Sequence, residues 1–352
     1  MQTASAVPVT MISPCPHSSS FGGVQRSALA AWNGLPDTAR LVCYGTDCAL
    51  PARHDARNQR CCRTKGRAAL AVAASTRGAR TILVWHLGLL KLLPFAWCGE
   101  ARIFLYLHGI ECWRPLDLLT RRLLRRVDVF LANSAFTWER FTQRNPGFRD
   151  AACRVVPLGA EAPCEDAGEP AEPPAALIAG RMDRREDYKG HRELIRAWPL
   201  LLRRAPDAQL WVVGSGDLAA DLQTLAGGLA RTGHIRFLGA VSDEEKSRLM
   251  GECTCFAMPS HGEGFGLVYL EAMRAGRPCL VGSADAGREV VNPPEAGLAV
   301  DPADQDALLE ALARLLRRDG AWREWSLRAR KRYERHFTEE AFRRRLLSAL
   351  AE

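Results

Sequence analysis

Ser260-His261-Gly262-Glu263-Gly264-Phe265-Gly266-Leu267-Val268-Tyr269-Leu270-Glu271, continued by Ala272-Met273-Arg274-Ala275-Gly276, is the stretch on which the reading of this chain turns. The apolar run 255–258 before it predicts a buried strand, and the apolar spacing after Gly266 predicts a helix. Glycines at 264 and 266 let the backbone between them approach a ligand closely, and the unpaired amides at a helix start attract anions. Glu263 falls in the loop and Glu271 about one turn into the helix, so both can face one ligand. Carboxylates accept hydrogen bonds from the paired hydroxyls of a sugar or a ribose. A capped amphipathic helix with acidic residues near its positive end would explain the two glutamates alone. The two glycines in a strand–loop–helix setting favour a ligand.

The same alternation extends in both directions. Strand-like runs at 176–179, 209–213, 235–238, 278–281 and 298–300 each precede a helix-like stretch. In the first half the runs fall at 7–13, 41–45, 82–86, 103–108, 127–132 and 154–157, with helical spacing at 24–32, 116–126 and 135–142. Repeated strand–helix–strand order predicts parallel sheets with helices on both faces and ligands at the carboxyl ends of the strands. Residues 162–174 hold four prolines and several acidic residues without periodicity, a linker pattern. A chain of 352 residues suits two domains. The expected class is therefore α/β, with two doubly wound Rossmann-like domains facing across a cleft, and an arginine- and glutamate-rich helical end at 321–352.

Composition narrows the class. With 47% apolar and 25% charged residues the chain is globular rather than disordered. The best apolar stretch, 82–97, is broken by His86, Lys91 and Pro94 and is too short for a membrane span. Pro8, Pro14 and Pro16 interrupt the N-terminal apolar run, so no secretory signal is expected. Twelve cysteines include no C-x-x-C pair and fit no zinc spacing. Cys253 and Cys255 lie in an apolar run read as a buried strand, so structural thiols in a reducing cytoplasm are expected rather than a metal site. Residues 1–160 carry 21 Lys+Arg against 9 Asp+Glu, the remainder 27 against 31, within a net charge of +8. The basic half suggests an anionic partner. Nucleic acid is not expected, because the basic residues are not interleaved with stacking aromatics.

Several other clusters stand at strand ends. Ala179-Gly180-Arg181 closes one run and Tyr188-Lys189-Gly190 opens the next helix. An arginine and a lysine beside a glycine turn suit a diphosphate, although surface charge is an equal reading with Arg184 and Arg185 nearby. Phe21-Gly22-Gly23-Val24 starts a helix after the first run, and Gly-Gly alone is usually only a turn. His108-Gly109-Ile110-Glu111 follows the fourth run, where a lone histidine commonly has a structural role. In Asn133-Ser134-Ala135, helix capping by Ser134 is a sufficient explanation. Val213-Gly214-Ser215-Gly216-Asp217-Leu218-Ala219 fits a dinucleotide fingerprint and supports a rival reading, a nucleotide-sugar epimerase or an NAD(P)-dependent dehydrogenase. Against it, this turn does not follow the first strand of its domain, and no acidic residue ends the next strand.

Taken together, these motifs resemble the retaining glycosyltransferases of family 4, the group 1 glycosyltransferases with the two-domain GT-B fold. The resemblance runs from about Gly22 to the C-terminal helices and is carried most by Glu263 and Glu271, spaced as the family's E-x7-E within E-G-F-G-L-x-x-L-E-A. It implies that Glu263 and the backbone of Gly264, Phe265, Gly266 and Leu267 contact a donor sugar, and that Glu271 holds the donor ribose. Gly180, Arg181 and Lys189 correspond to the family's donor-phosphate residues, Gly22 and Gly23 to its glycine loop, and His108 to a histidine near the donor sugar. The loop 182–188 is longer than the family's, which leaves the reach of Lys189 to the structure. The implied domains are an acceptor-side domain at 1–165, a donor domain at 175–335, and a terminal helix at 336–352 returning to the first. The implied activity moves a hexosyl group, with retention, from a UDP- or GDP-sugar to a saccharide or lipid-linked acceptor in cell-surface polysaccharide or lipopolysaccharide synthesis. No cofactor and no metal are expected, since no D-x-D patch ends a strand where the chemistry would need one. Arg121, Arg122, Arg125 and Arg126 near Leu119, Leu123 and Leu124, and Lys91 among Leu89, Leu90, Leu92 and Leu93, suggest peripheral attachment to an anionic membrane. If those leucines are core, the arginines are merely solvated.

Overall fold

The computed structural model describes residues 8–15, 22–45, 58–161 and 168–352. Residue 7 of the first expected strand, Phe21, Cys48, Cys164 and linker positions 162–167 lie outside these. The chain divides into two compact units, Met1–Gly159 with Glu339–Glu352, and Ala160–Thr338.

The first unit is a seven-stranded parallel sheet. Its strands are β1 Val9–Pro14, β2 Arg40–Tyr44, β3 Gln59–Cys62, β4 Thr81–Val84, β5 Arg102–Leu107, β6 Val129–Ala132 and β7 Cys153–Val155. They lie in the order β3-β2-β1-β4-β5-β6-β7. Central strands such as β4 and β6 are buried along their whole length, as strands covered by helices on both faces must be. β3 was not expected, because Gln59-Arg60-Cys61-Cys62 has no apolar run; it sits at the sheet edge on β2, where one side needs no apolar cover. The helices are α1 Gly23–Gly34, α2 Lys65–Ser75, α3 Leu118–Leu124 and α4 Ala135–Arg144. The Ser134 hydroxyl caps α4 by accepting the Thr137 amide at 3.0 Å.

The second unit holds a six-stranded parallel sheet of β8 Ala175–Ala179, β9 Gln209–Val213, β10 Ile235–Gly239, β11 Cys255–Met258, β12 Cys279–Gly282 and β13 Gly297–Val300. The order is β10-β9-β8-β11-β12-β13. Around it run α5 His191–Leu201, α6 Ala219–Ala226, α7 Gly228–Arg231, α8 Asp243–Glu252, α9 Leu267–Arg274, α10 Gly287–Val291, α11 Gln305–Leu315 and α12 Gly320–His336. The Trp322 indole of α12 donates to the Thr254 carbonyl at 2.9 Å, fixing that helix beside β11. The final helix, α13 Glu339–Ala351, belongs to the first unit, where Arg345 donates to the Pro157 carbonyl at 3.1 Å and Phe342 meets Trp85 edge-on.

In the second sheet the strand order reverses between β8 and β11, and the crevice at such a reversal is where doubly wound sheets take ligands. The turn Gly214–Gly216 instead follows β9, one strand away. A side chain at Gly214 would meet the Gly180 carbonyl oxygen at 1.9 Å, and one at Gly216 the Met182 carbonyl oxygen at 2.3 Å. Those glycines let the β9 turn pack directly under the loop leaving β8, where the Met182 amide donates to the Ser215 carbonyl at 2.9 Å. Backbone packing therefore accounts for the glycines that had suggested a dinucleotide fingerprint.

Candidate functional site

Because β8 and β11 are neighbours, the loops at their carboxyl ends meet. Tyr188 ties them: its carbonyl accepts the His261 amide at 3.1 Å, and a side chain at Gly262 would strike its ring at 2.9 Å. Lys189 crosses the junction despite the long loop before it, placing Nζ 3.2 Å from a Glu263 oxygen and 3.4 Å from Glu186. Arg181 pairs with the other Glu186 oxygen. Gly180 lies against the Lys189 stem, where an added side chain would come within 3.0 Å. Burial works against the ammonium of Lys189, but the Glu263 carboxylate beside it, with Tyr188 and Glu186, more than offsets this and raises its pKa above the ordinary lysine range. The structure thus assembles Gly180, Arg181, Lys189 and Glu263, with Glu186, which sequence reading missed, supplying an anion to both cations.

The loop continues into α9. Gly266 has φ of 83°, a conformation that favours glycine, and a side chain there would lie 2.4 Å from the Tyr269 ring. Leu267 opens the helix, and in its first turn the Tyr269 amide donates back to the Gly266 carbonyl at 3.0 Å. Phe265 is buried edge-on to Phe337, so its side chain is used in packing and only its backbone remains for a ligand. Glu271 is held by Lys246 of α8 at 3.0 Å, a partner the sequence did not indicate. A lysine three residues after Asp243 in a helical pattern carries no signal that it will cross to another helix.

Beneath the loop lies a second missed residue. Asp285 is buried, accepts the Ser260 hydroxyl, and receives the Gly287 amide at 2.8 Å. The Ala286 amide donates to the Glu263 carbonyl at 3.2 Å, joining this network to the loop. Burial pushes the Asp285 carboxyl up to about 7, and nearby Glu263 adds to the rise.

The remaining expected residues lie in the first unit. Gly22 and Gly23 open α1, the helix after β1, and the Gly22 amide donates to the Gln25 side chain at 3.2 Å. His108 follows β5. Its Nε2 lies 2.6 Å from the Trp85 carbonyl, which can only accept, so the proton is on Nε2 and the neutral ring carries its lone pair on Nδ1. Glu111 accepts the His108 amide at 2.6 Å, and Asn133 donates to the His108 carbonyl at 2.6 Å. Desolvation lowers the His108 pKa to about 4 against the pull of Glu111, keeping the ring neutral near pH 7.

Residues 173–318 match the family described as glycosyl transferases group 1. Phosphatidyl-myo-inositol mannosyltransferase of Mycolicibacterium smegmatis is 38% identical over 178 residues, 50% of this chain and 45% of that protein. A GDP-mannose-dependent alpha-(1-6)-phosphatidylinositol monomannoside mannosyltransferase of the same species is 32% identical over 241 residues, 62% of each chain. This chain therefore spans about half to three-fifths of the length of these relatives. Among solved structures, Anabaena HepE in complex with UDP and glucose aligns at a TM-score of 0.78 and 17% identity, covering 98% of this chain and 100% of that one. Sucrose-phosphate synthase of Thermosynechococcus elongatus aligns at 0.75 and 22%, covering 97% and 98%. These likenesses bear on the fold, and the two Rossmann-like units fall in the GT-B class expected from the sequence.

The buried Asp285 gives a test of the network under the loop. A carboxyl raised in the folded state adds stability that is complete below its unfolded pKa of about 4 and is lost as pH climbs toward 7. Asp285→Asn should remove that slope, so the melting temperature of the variant should gain on wild type between pH 4 and pH 8. Parallel melting curves across that range would place Asp285 outside the network described.

Proposed function

We propose that this chain is a glycosyltransferase that moves a hexosyl group from a nucleotide sugar to a lipid-linked or saccharide acceptor, retaining anomeric configuration, in cell-surface glycoconjugate synthesis. The observation that carries the reading is the Lys189–Glu263 pair at 3.2 Å, with Arg181 joined through Glu186, at the point where the second sheet reverses. Cations fixed beside a sugar-orienting carboxylate suit a leaving group that gains negative charge. Arg181 and Lys189 would stabilise the departing diphosphate, which takes over the anionic role Glu186 now fills. Glu263 and the backbone of Gly264 to Leu267 orient the sugar, and Glu271 anchors the ribose hydroxyls. His108, neutral, would offer a hydrogen bond rather than charge. The reaction needs no cofactor in this scheme. The names of the relatives favour GDP-mannose as donor and a phosphatidylinositol-type lipid as acceptor over a UDP-sugar.

A lipid acceptor calls for a surface that meets membrane, and in the first unit the four arginines and Leu119 read from sequence are exposed while the other leucines of that reading are not. Leu89, Leu90, Leu92, Leu93, Leu123 and Leu124 are core, because the segments bearing them pack over the sheet. Leu118 and Leu119, at the start of α3, are 83% and 53% exposed, and Phe95 and Trp97 are also exposed. Arg121, Arg122, Arg125 and Arg126 on and just after α3 are exposed as well, whereas Lys91 pairs with Asp117 at 3.3 Å. Exposed apolar side chains beside four arginines suit peripheral attachment to an anionic leaflet, each cation contributing about 1 kcal/mol. Among the described residues no helix is long and apolar enough to cross a membrane.

Kinetics with GDP-mannose and other nucleotide sugars test the chemistry. Arg181→Ala and Lys189→Ala should each lower turnover by about 10²-fold or more. Glu271→Ala should chiefly weaken donor binding, and Glu263→Ala should lower turnover more than affinity. Near wild-type turnover in folded Lys189→Ala and Glu263→Ala would refute the assignment. Co-sedimentation with anionic vesicles tests the surface: binding should weaken with added salt and in a variant with Leu118, Leu119 and the four arginines replaced by serine. Absence of binding at low salt would remove the membrane from the proposal.

A further inference from the structure

A separate cluster stands at the carboxyl end of the first sheet. Parallel register places Ser13 of β1 opposite Cys43 of β2, and Cys43 opposite Cys61 of β3. Cys15 is two residues beyond Ser13 and so shares its face, and its amide extends the ladder to the Tyr44 carbonyl at 3.2 Å. Gly45 makes room for it, since a side chain there would meet the Cys15 Cβ at 3.0 Å. The three sulfur atoms all lie within 4.8 Å of one another. Tetrahedral zinc with sulfurs at about 2.3 Å requires them about 3.8 Å apart, within reach of small side-chain rotations. Cys15 and Cys43 are buried and outside any disulfide, and Cys61 is partly exposed, which leaves a route of entry. In this structure Cys61 is held in a disulfide.

We propose that Cys15, Cys43 and Cys61 form a three-thiolate site for a soft divalent cation of the zinc type, available when the Cys61 disulfide is reduced. A dithiol reductant supplies the two electrons: its two thiols become its own disulfide, and Cys61 and its partner become thiols. The cation then replaces three protons, one from each cysteine, and three thiolates leave its fourth position open. Thiolate sulfur selects such a cation over magnesium or calcium. The complex carries one net negative charge. The site would clamp β1, β2 and the polar edge strand β3 together, and oxidation would release it.

Cobalt(II) is the probe, since cobalt–thiolate coordination has a charge-transfer absorption that oxygen ligands lack. The full chain, reduced with a dithiol and handled without oxygen, should bind one equivalent with that absorption, and zinc should displace it. The disulfide form should not bind. Cys15→Ser and Cys61→Ser should each weaken binding at least about 10-fold, the low end of what even indirect partners of a metal contribute. Cys253→Ser, in the other unit, should bind as wild type. Cys61 lies on an edge strand and is partly exposed, so its variant should fold, as circular dichroism can verify. A reduced, folded chain without the absorption, or an absorption unchanged in both Cys15→Ser and Cys61→Ser, would overturn the proposal.

Discussion

The candidate site depends on one contact, the Lys189 ammonium on the Glu263 carboxylate across two loops. It exists because β8 and β11 are adjacent while the chain leaves them on separate excursions, so their carboxyl ends open onto a shared crevice. The loops are fitted closely: Gly190 lies against the Pro259 carbonyl, which a side chain would meet at 2.8 Å, and Tyr188 covers Gly262. Without those glycines the two loops could not approach, and the cation and the carboxylate would be separate surface charges.

Charges held in this way cost free energy to bury but are already in place for a charged ligand. Lys189, Glu186 and Glu263 are all mostly buried, so removing one leaves its partners uncompensated, typically by about 3–5 kcal/mol. A diphosphate entering beside Arg181 and Lys189 would relieve Glu186 of its role and meet dipoles and cations needing little reorganisation. Asp285 supports the loop from below through Ser260 and Gly287, in a setting too dry for it to ionise as an ordinary aspartate does.

Much of this architecture is legible in the sequence, because buried parallel strands read as short apolar runs and the loops after them carry glycines. Twelve of the thirteen strands among the described residues follow from that pattern, and β3 does not, being polar and at an edge. The residues Glu263, Gly266 and Glu271 declare themselves by local spacing. Glu186, Lys246 and Asp285 do not, since each acts on a residue brought near only by the fold. Of the leucines around Lys91 and on α3, Leu89, Leu90, Leu92, Leu93, Leu123 and Leu124 are core and Leu119 is exposed, since apolar character alone does not say which face meets the core. Cys253 caps the end of α8 rather than entering β11, although it is buried as expected. Cys15, Cys43 and Cys61 come together through strand register, which no linear cysteine spacing reveals.

The central claim is that the β8–β11 crevice takes a nucleotide diphosphate. A crystal structure of the chain with bound GDP tests it most directly. The account predicts the two phosphates beside Arg181 and Lys189, with the Arg181–Glu186 pair opened and the ribose hydroxyls on Glu271. Phosphates bound at the Gly214–Gly216 turn, with Lys189 still on Glu186 and Glu263, would contradict it.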